Sequence, residues 1–554
     1  MEYNNLNYSG DSAAHRRASY KGSGFDPKDM NKPHIGIANT FSEASPGHSH
    51  FRPLVDVIKN AIWEAGGIPF EFGVPATCGN VAIGTRFLRY EMPMRDTVAA
   101  SIELVSSIQL FDGIVLTAGC DNIVPGALLA AARTEKPAIM LTGGPMSVGD
   151  YDGKPIVLSD VNEEVFGNVA KGRFDSQKLN RMEYASCPTF GACPTLGTAN
   201  TMQILAESMG MTLSGASVIP SWGTDKFISA RHTGNRIVDM VKEGLTPSKI
   251  ITRKSLENAI IMDMAIGGST NAVLHILAIA KELELDITLD DFDRLSKIVP
   301  NITNLRPSGL YTVDKLAAAG GVPGIMKQLE VFLNKDELTA DGKTIGEILE
   351  NTPNIKNEII KSIEDPLCND GGIAVLKGNL SENGAIIRTS AVKPEMRRFV
   401  GRAKVYDSDE EAFEALVAGI IVPGDVIVIR YTGPKGAPGM VEVMLTADAL
   451  VDFGLDTSVG LITDGRFSGF NYGPIVGHVS PEAAEGGLIA YVQEGDTIEV
   501  DIPKRKIILH VDNKIIEERK KVTILKKPVL QKGFVKLYAE NVLPAHEGAA
   551  MQKW

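Results

Sequence analysis

Short apolar runs that end in small-residue turns recur from residue 34 onward, each followed by a stretch with helical spacing. HIGIANT (34–40), PFEFGVP (69–75), DGIVLTAGCD (112–121), PAIMLTGGP (137–145) and ASVIPS (216–221) read as buried strands. Between them FRPLVDVIKNAIWEAGG (51–67), RDTVAASIELVSSIQ (95–109), PGALLAAARTEK (125–136) and TANTMQILAESMG (198–210) read as helices. Such alternation predicts a mostly parallel sheet with helices on its faces. It also predicts where chemistry sits, because ligands bind at the carboxyl ends of parallel strands. The loops there are NTFSEASPGHSH (39–50), PATCGN (75–80), GCDNIVPG (119–126) and TGGPM (142–146).

A chain of 554 residues is too long for one ordinary core, and its texture changes along the way. Residues 252–335 read as mainly helical, with a helix pair broken at GGST (267–270). After a polar stretch near 335–366, GGIAVLKGNL, VIVIRYTG, GLITDG and DTIEVDIPKRKIILHVD are turn-punctuated strands. Two domains follow, an α/β domain over 1–367 and a β-rich domain over 368–554.

A hydrophobic content of 44% and a charged content of 22% are those of a soluble globular protein. With a net charge of −12 and no dense basic cluster, the chain offers no surface for nucleic acid. The longest uncharged apolar stretch, NAVLHILAIA (271–280), suits a core helix and not a membrane span. The N-terminus has no apolar signal core, which points to the cytoplasm. Five cysteines (78, 120, 187, 193 and 368) in such a chain argue for free thiols or metal ligands over a disulfide framework.

Four places carry candidate chemistry. Cys120-Asp121 joins a strand to a helix start, where the positive end of the helix favours a thiolate; taken alone, an inert buried cysteine is the commoner outcome. Cys187 and Cys193 lie six apart in SCPTFGACPTLGTANTM, a spacing that matches neither a zinc site nor a ferredoxin. Ser468 lies in the glycine-rich turn TDGRFSG beside Arg466, open to roles as nucleophile, base or anion clamp, or simply a turn residue; no GxSxG elbow accompanies it. Glu442 follows the flexible loop GPKGAPGMV, where a solvated surface glutamate is the ordinary alternative. The GGSTN turn (267–271) offers N–H groups at a helix start as an anion seat.

Read in order, GIANTFSE-x-x-PGH-x-H, GCD-x-x-x-PG, GGPM, GTANTM, AIGGSTNAVLHILAIA, GGIAVLKGNL, GPKG-x-PGM and TDGRFSG…GHVSPEAAEGG resemble the dihydroxy-acid dehydratase/6-phosphogluconate dehydratase family. The resemblance runs from about residue 12 to about residue 520. It implies a hydro-lyase that turns a 2,3-dihydroxy carboxylic acid into a 2-keto acid. The branched-chain dihydroxy-acid dehydratases lead; sugar-acid dehydratases, or a non-catalytic relative keeping fold and cluster, are the alternatives. It further implies an αβα N-terminal domain, a β-barrel-like C-terminal domain, and a homodimer or dimer of dimers. The cofactors implied are an iron–sulfur cluster, 2Fe–2S or 4Fe–4S, and Mg2+ beside it. On this resemblance Cys120 and Cys193 match cluster ligands, Asp121 and Glu442 magnesium ligands, and Ser468 the catalytic base, with Arg466 helping that serine to ionise. Cys187 falls where the family varies.

The chain departs from the family in its metal loops. Asn122 stands where the family usually has a lysine whose carbamate binds magnesium, and Gly79 where it has a metal carboxylate. Magnesium held by Asp121 and Glu442 alone would need water or amide oxygens to complete its shell. Gly47 replaces a frequent cysteine in the first loop, which leaves Cys78, or His48, as candidates for a third cluster ligand. Phe470-Asn471-Tyr472 replaces smaller residues after GRFSG and should reshape the substrate pocket.

Overall fold

The computed structural model describes residues 8–551 apart from 170, 174, 468–472 and 529–531. Four strands, β1 (His34–Asn39), β2 (Ile68–Gly73), β3 (Gly113–Ala118) and β4 (Ala138–Thr142), form a parallel sheet in the order β2-β1-β3-β4. β1, β3 and β4 are buried along their whole length, as strands covered on both sides must be. From β1 the chain steps outward to β2, then returns to the other side for β3 and β4. With right-handed crossovers, that reversal sends the helix Phe51–Glu64 to one face and the helices Glu91–Ile108 and Ile123–Thr134 to the other. The loops after β1 and β3 therefore diverge and leave a crevice between them. The helix Phe51–Glu64 buries Phe51, Leu54, Val55, Ile58, Ala61 and Ile62, the stripe its spacing predicts.

Two expectations need correcting. ASVIPS is a buried turn and no strand, although Val218 is fully enclosed. β4 already spends its edge groups on this region, Met140 N–H donating to Met211 O and the Thr142 hydroxyl to Ser217 O. Pro220 has no N–H to add to a ladder. The helix expected from residue 95 begins a turn earlier, at Glu91; Pro93 lies in that first turn, where a missing N–H breaks no intrahelical bond.

After a small hairpin, β5 (Gly149–Tyr151) and β6 (Lys154–Ile156), the helical region includes Arg253–Ile266 and Asn271–Glu282. Gly267, at φ 61°, closes the first of these with a left-handed residue. The remaining strands are β7 (Ile373–Gly378), β8 (Ser381–Arg388), β9 (Arg398–Tyr406), β10 (Asp425–Ile429), β11 (Gly460–Thr463), β12 (Ile475–Ser480), β13 (Thr497–Asp501) and β14 (Lys506–Leu509). They close into a barrel in the order β10-β11-β12-β8-β7-β14-β13-β9. Alternation sorts the side chains: Val426 and Val428 join one core while Ile427 and Ile429 join another on the opposite face. β9, β10, β11 and β12 run parallel, so this domain too gathers loops at strand carboxyl ends. The two domains are tied by the C-terminal segment, whose Gly548 and Ala549 carbonyls accept from buried Arg95 and whose Met551 N–H donates to Asp96.

Burial holds several histidines neutral, among them His34 and His50, pushed down to about 4, and His48 and His478, pushed down to about 3. A folded pKa below the unfolded 6.5 gives stability that is complete above pH 6.5 and lost as pH falls toward 4. Each such histidine adds a slope of up to about 1.4 kcal/mol per pH unit in that window. His34 sits among the rings of Tyr8, Tyr20 and Phe70, so His34→Phe should be accommodated. Urea unfolding at pH 7.5, 6 and 4.5 should show wild-type stability falling with pH, and a shallower fall in His34→Phe. Parallel curves for the two proteins would show that His34 is not held neutral.

Candidate active site

The crevice between β1 and β3 is closed by glycines at its base. A Cβ on Gly119 would lie 2.3 Å from the Gly47 carbonyl oxygen, and one on Gly47 would lie 2.9 Å from Cys120 Sγ. The first loop can approach the Cys120 thiol this closely only without a side chain. His48 braces the contact: its Nε2 accepts from Gly119 N–H at 3.2 Å, which leaves Nδ1–H to donate to Ser45 Oγ at 2.9 Å. Both ring nitrogens are thus engaged, and His48 is a structural residue of the loop.

Three thiols face one cavity of about 90 Å³. Cys120 comes from the end of β3, Cys78 from the loop after β2, and Cys193 from the segment entering the helix Thr198–Ser208. That segment is pinned to the neighbouring loops, Gly191 N–H donating to Pro46 O and Ala192 N–H to Gly144 O. Asn200 Nδ2 donates to the carbonyls of Cys193 and Thr195. Interaction with Cys120 holds the Cys78 thiol below its ordinary value, and interaction with Cys78 together with burial pushes Cys120 up. Burial, then the charge of Cys78, raises Cys193.

Carboxylates make the other wall: Asp121, Glu442 and Glu91, which the sequence analysis did not single out. Glu442 follows β10 and Arg466 follows β11, and the two segments pair as a short parallel bridge. Fully buried Arg466 donates to Glu91 Oε2 at 2.7 Å, Glu442 Oε1 at 3.2 Å and Met440 O at 2.8 Å. Burial works against the guanidinium charge, but Glu442 and Glu91 outweigh it and hold Arg466 above its ordinary value. Asn271, first residue of its helix, donates to Glu442 Oε1 at 2.5 Å and to Thr198 Oγ1 at 3.1 Å. The N–H groups of Ser269 and Asn271 are taken by hydroxyls of Thr201 and Ser269, so GGSTN acts through the Asn271 amide and not as an open anion seat. Desolvation, with the charges of Glu91 and Glu442, lifts Asp121 well above its ordinary value; burial also lifts Glu91.

Among the described residues, no three His, Cys, Asp or Glu side chains close on one ion-sized point. Arg466 holds one oxygen each of Glu91 and Glu442 and leaves the other oxygen of each without a partner among the described residues. The donor set, soft thiols on one wall and hard carboxylates on the other, still suits a cluster flanked by a hard cation. A larger cavity of about 280 Å³ shares Leu88, Glu442 and Met444 with the first and is rimmed by Arg86, Arg89 and Lys526.

The structure thus gathers Cys78, Cys120, Cys193, Asp121 and Glu442, with Arg466 beside them. Ser468 and Phe470–Tyr472 lie outside the described residues. Cys187 does not line the cavity, although the charge of Cys78 reaches its thiol after the larger effect of burial. Cys368 lies apart, its segment paired with Asn301 and its sulfur accepting from Arg397. Glu91 escaped notice because it lies ahead of the apolar stripe of its helix. The signal that could have found it was the carboxylate missing at Gly79.

Comparison with known proteins decides the family. The profile of the dihydroxy-acid/6-phosphogluconate dehydratase N-terminal domain matches residues 32–348, and that of the C-terminal domain residues 358–549. The chain belongs to the dihydroxy-acid/6-phosphogluconate dehydratase family. Relatives named dihydroxy-acid dehydratase from Ignicoccus hospitalis and Methanosarcina barkeri are each 44% identical, over 97% of this chain and 98% of theirs. One of that name from Caldanaerobacter subterraneus is 43% identical over 98% of this chain and 97% of its own. In this member of the dehydratase family Gly47 abuts the Cys120 thiol, and the cavity gains a glutamate from the helix Glu91–Ile108.

Removing a guanidinium that lies between two buried carboxylates leaves them facing each other unpaired. Arg466→Leu should therefore lose about 3–5 kcal/mol of stability in urea with divalent ions chelated. Glu91→Gln added to it should recover part of that loss. A loss below about 1 kcal/mol would sink this account of the ion pairs.

Proposed function

We propose that the protein is an iron–sulfur hydro-lyase converting a 2,3-dihydroxy carboxylic acid to a 2-keto acid, the dihydroxy-acid dehydratase of branched-chain amino acid biosynthesis. The observation that carries this reading is the convergence of three thiols with Asp121 and Glu442 on one cavity. The near-full-length relatives named dihydroxy-acid dehydratase support that choice of substrate. The protein works in the cytoplasm as a homodimer or dimer of dimers; no helix among the described residues is long and apolar enough to cross a membrane. Its domains divide at 367/368, just ahead of the first barrel strand at Ile373.

Cys78, Cys120 and Cys193 would hold the cluster, and Asp121 and Glu442 the magnesium ion. When bound, these groups supply Lewis acidity at the departing 3-hydroxyl and positive charge at the carboxylate end of the substrate. Ser468, ionised, takes the proton from carbon 2 as the 3-hydroxyl leaves; together these amount to one water. The enol so formed tautomerises to the 2-keto acid. Arg466, two residues before the serine, favours its ionised form and holds Glu442 in place. Arg86, Arg89 and Lys526 rim the larger cavity with positive charge suited to an anionic substrate.

Purified anaerobically and loaded with iron and sulfide, the protein should release keto acid from 2,3-dihydroxyisovalerate faster than from gluconate, xylonate or arabinonate. Ser468→Ala should lower kcat by about 10²–10⁴ with cluster absorbance intact. Cys120→Ser and Cys193→Ser should lose that absorbance. A loaded cluster with no turnover on any of these acids would favour a non-catalytic relative; preference for a sugar acid would move the protein to that branch.

A further inference from the structure

Glycine at position 79 is not an empty place. A Cβ built there would lie 2.0 Å from Glu91 Oε1 and 2.5 Å from its Cδ, so the Glu91 carboxylate occupies the volume a side chain at 79 would fill. Glu91 reaches that spot from the first turn of its helix, held by Arg466 through Oε2. Oε1 of Glu91, Oε2 of Glu442 and both oxygens of Asp121 have no hydrogen-bond partner among the described residues, and all three side chains line the same cavity. Ionised, the three carboxylates outnumber the single guanidinium by two charges, which is what one divalent cation neutralises. A second, independent sign points the same way: Thr195, 2% exposed and lining this cavity, has a buried hydroxyl with no partner. Such a group is rarely left so unless an ion or water meets it.

We propose that Glu91 is a ligand of the divalent cation in this cavity, supplying from the helix Glu91–Ile108 the carboxylate that position 79 lacks. This rests on the dehydratase reading for the identity of the cation. Its ligand set is then Asp121, Glu442 and Glu91, three hard carboxylates without a lysine carbamate. Glycine at 79 is required because any side chain there would displace Glu91.

The test uses Mn2+ as probe on the anaerobically purified, cluster-containing protein without substrate, its affinity read from the EPR signal of free ion. Wild type should bind one Mn2+ that Mg2+ displaces, and Glu91→Gln should weaken binding at least tenfold. Moving the carboxylate back, as Glu91→Ala with Gly79→Asp, should restore affinity to within threefold of wild type, since the three atoms nearest the new Cβ all belong to Glu91. Should Glu91→Gln fail to fold by circular dichroism, the relocated pair decides alone. Wild-type affinity there supports the proposal, and tenfold weaker binding overturns it. Undiminished binding by Glu91→Gln, or no binding by wild type, also overturns it. Mn2+ binding as expected here, with no turnover in the separate dihydroxy-acid assay, would count against the dehydratase reading alone.

Discussion

The site depends on one guanidinium. Arg466 is fully buried, and it lies between Glu91 of the α/β domain and Glu442 of the barrel domain. A buried arginine is tolerable only with its charge met and its donors used. Here Nη1, Nη2 and Nε all find acceptors, two of them carboxylates and one the Met440 carbonyl. The carboxylates gain as much, since without that cation they would repel each other in a largely buried cavity. Each partner makes the others affordable, so the junction of the two domains is set by charge as well as by packing.

Around that contact the fold presents two strand-end surfaces to each other. The α/β domain offers the reversal between β1 and β3, where the loops separate and the Cys120 thiol emerges over Gly47. The barrel offers the segments that follow β10 and β11, which carry Glu442 and Arg466 and pair there as a short bridge. Tyr431, Met440 and His478, none of them glycine, have φ of 62°, 47° and 57°, a conformation retained only where the surroundings enforce it. Thiols come from the α/β domain, while the carboxylates come from both. Soft and hard donors thus line separate walls of a single cavity.

Much of this was legible beforehand, for definite reasons. Alternating apolar runs and helical stretches reveal a parallel sheet because the two periodicities are local properties of the chain. Cys120-Asp121 stood out because a strand and a helix meet there. Strand ASVIPS was misread because burial alone looks the same in a strand and in a turn pressed against a sheet edge. Glu91 was missed because nothing next to it in sequence announces its role. Its partner, Arg466, is 375 positions away.

The chain's own order of residues determined which elements form, which loops lie at strand ends, and which donor types those loops carry. Tertiary structure alone decided that the Cys78 thiol faces the same cavity as Cys120, that the two nitrogens of His48 are taken by Ser45 and Gly119, and that Glu91 fills the space over Gly79. The physical reason is distance along the chain. Propensity and periodicity act over a few residues. Charge pairing and steric exclusion act between segments that become neighbours only once the chain has folded.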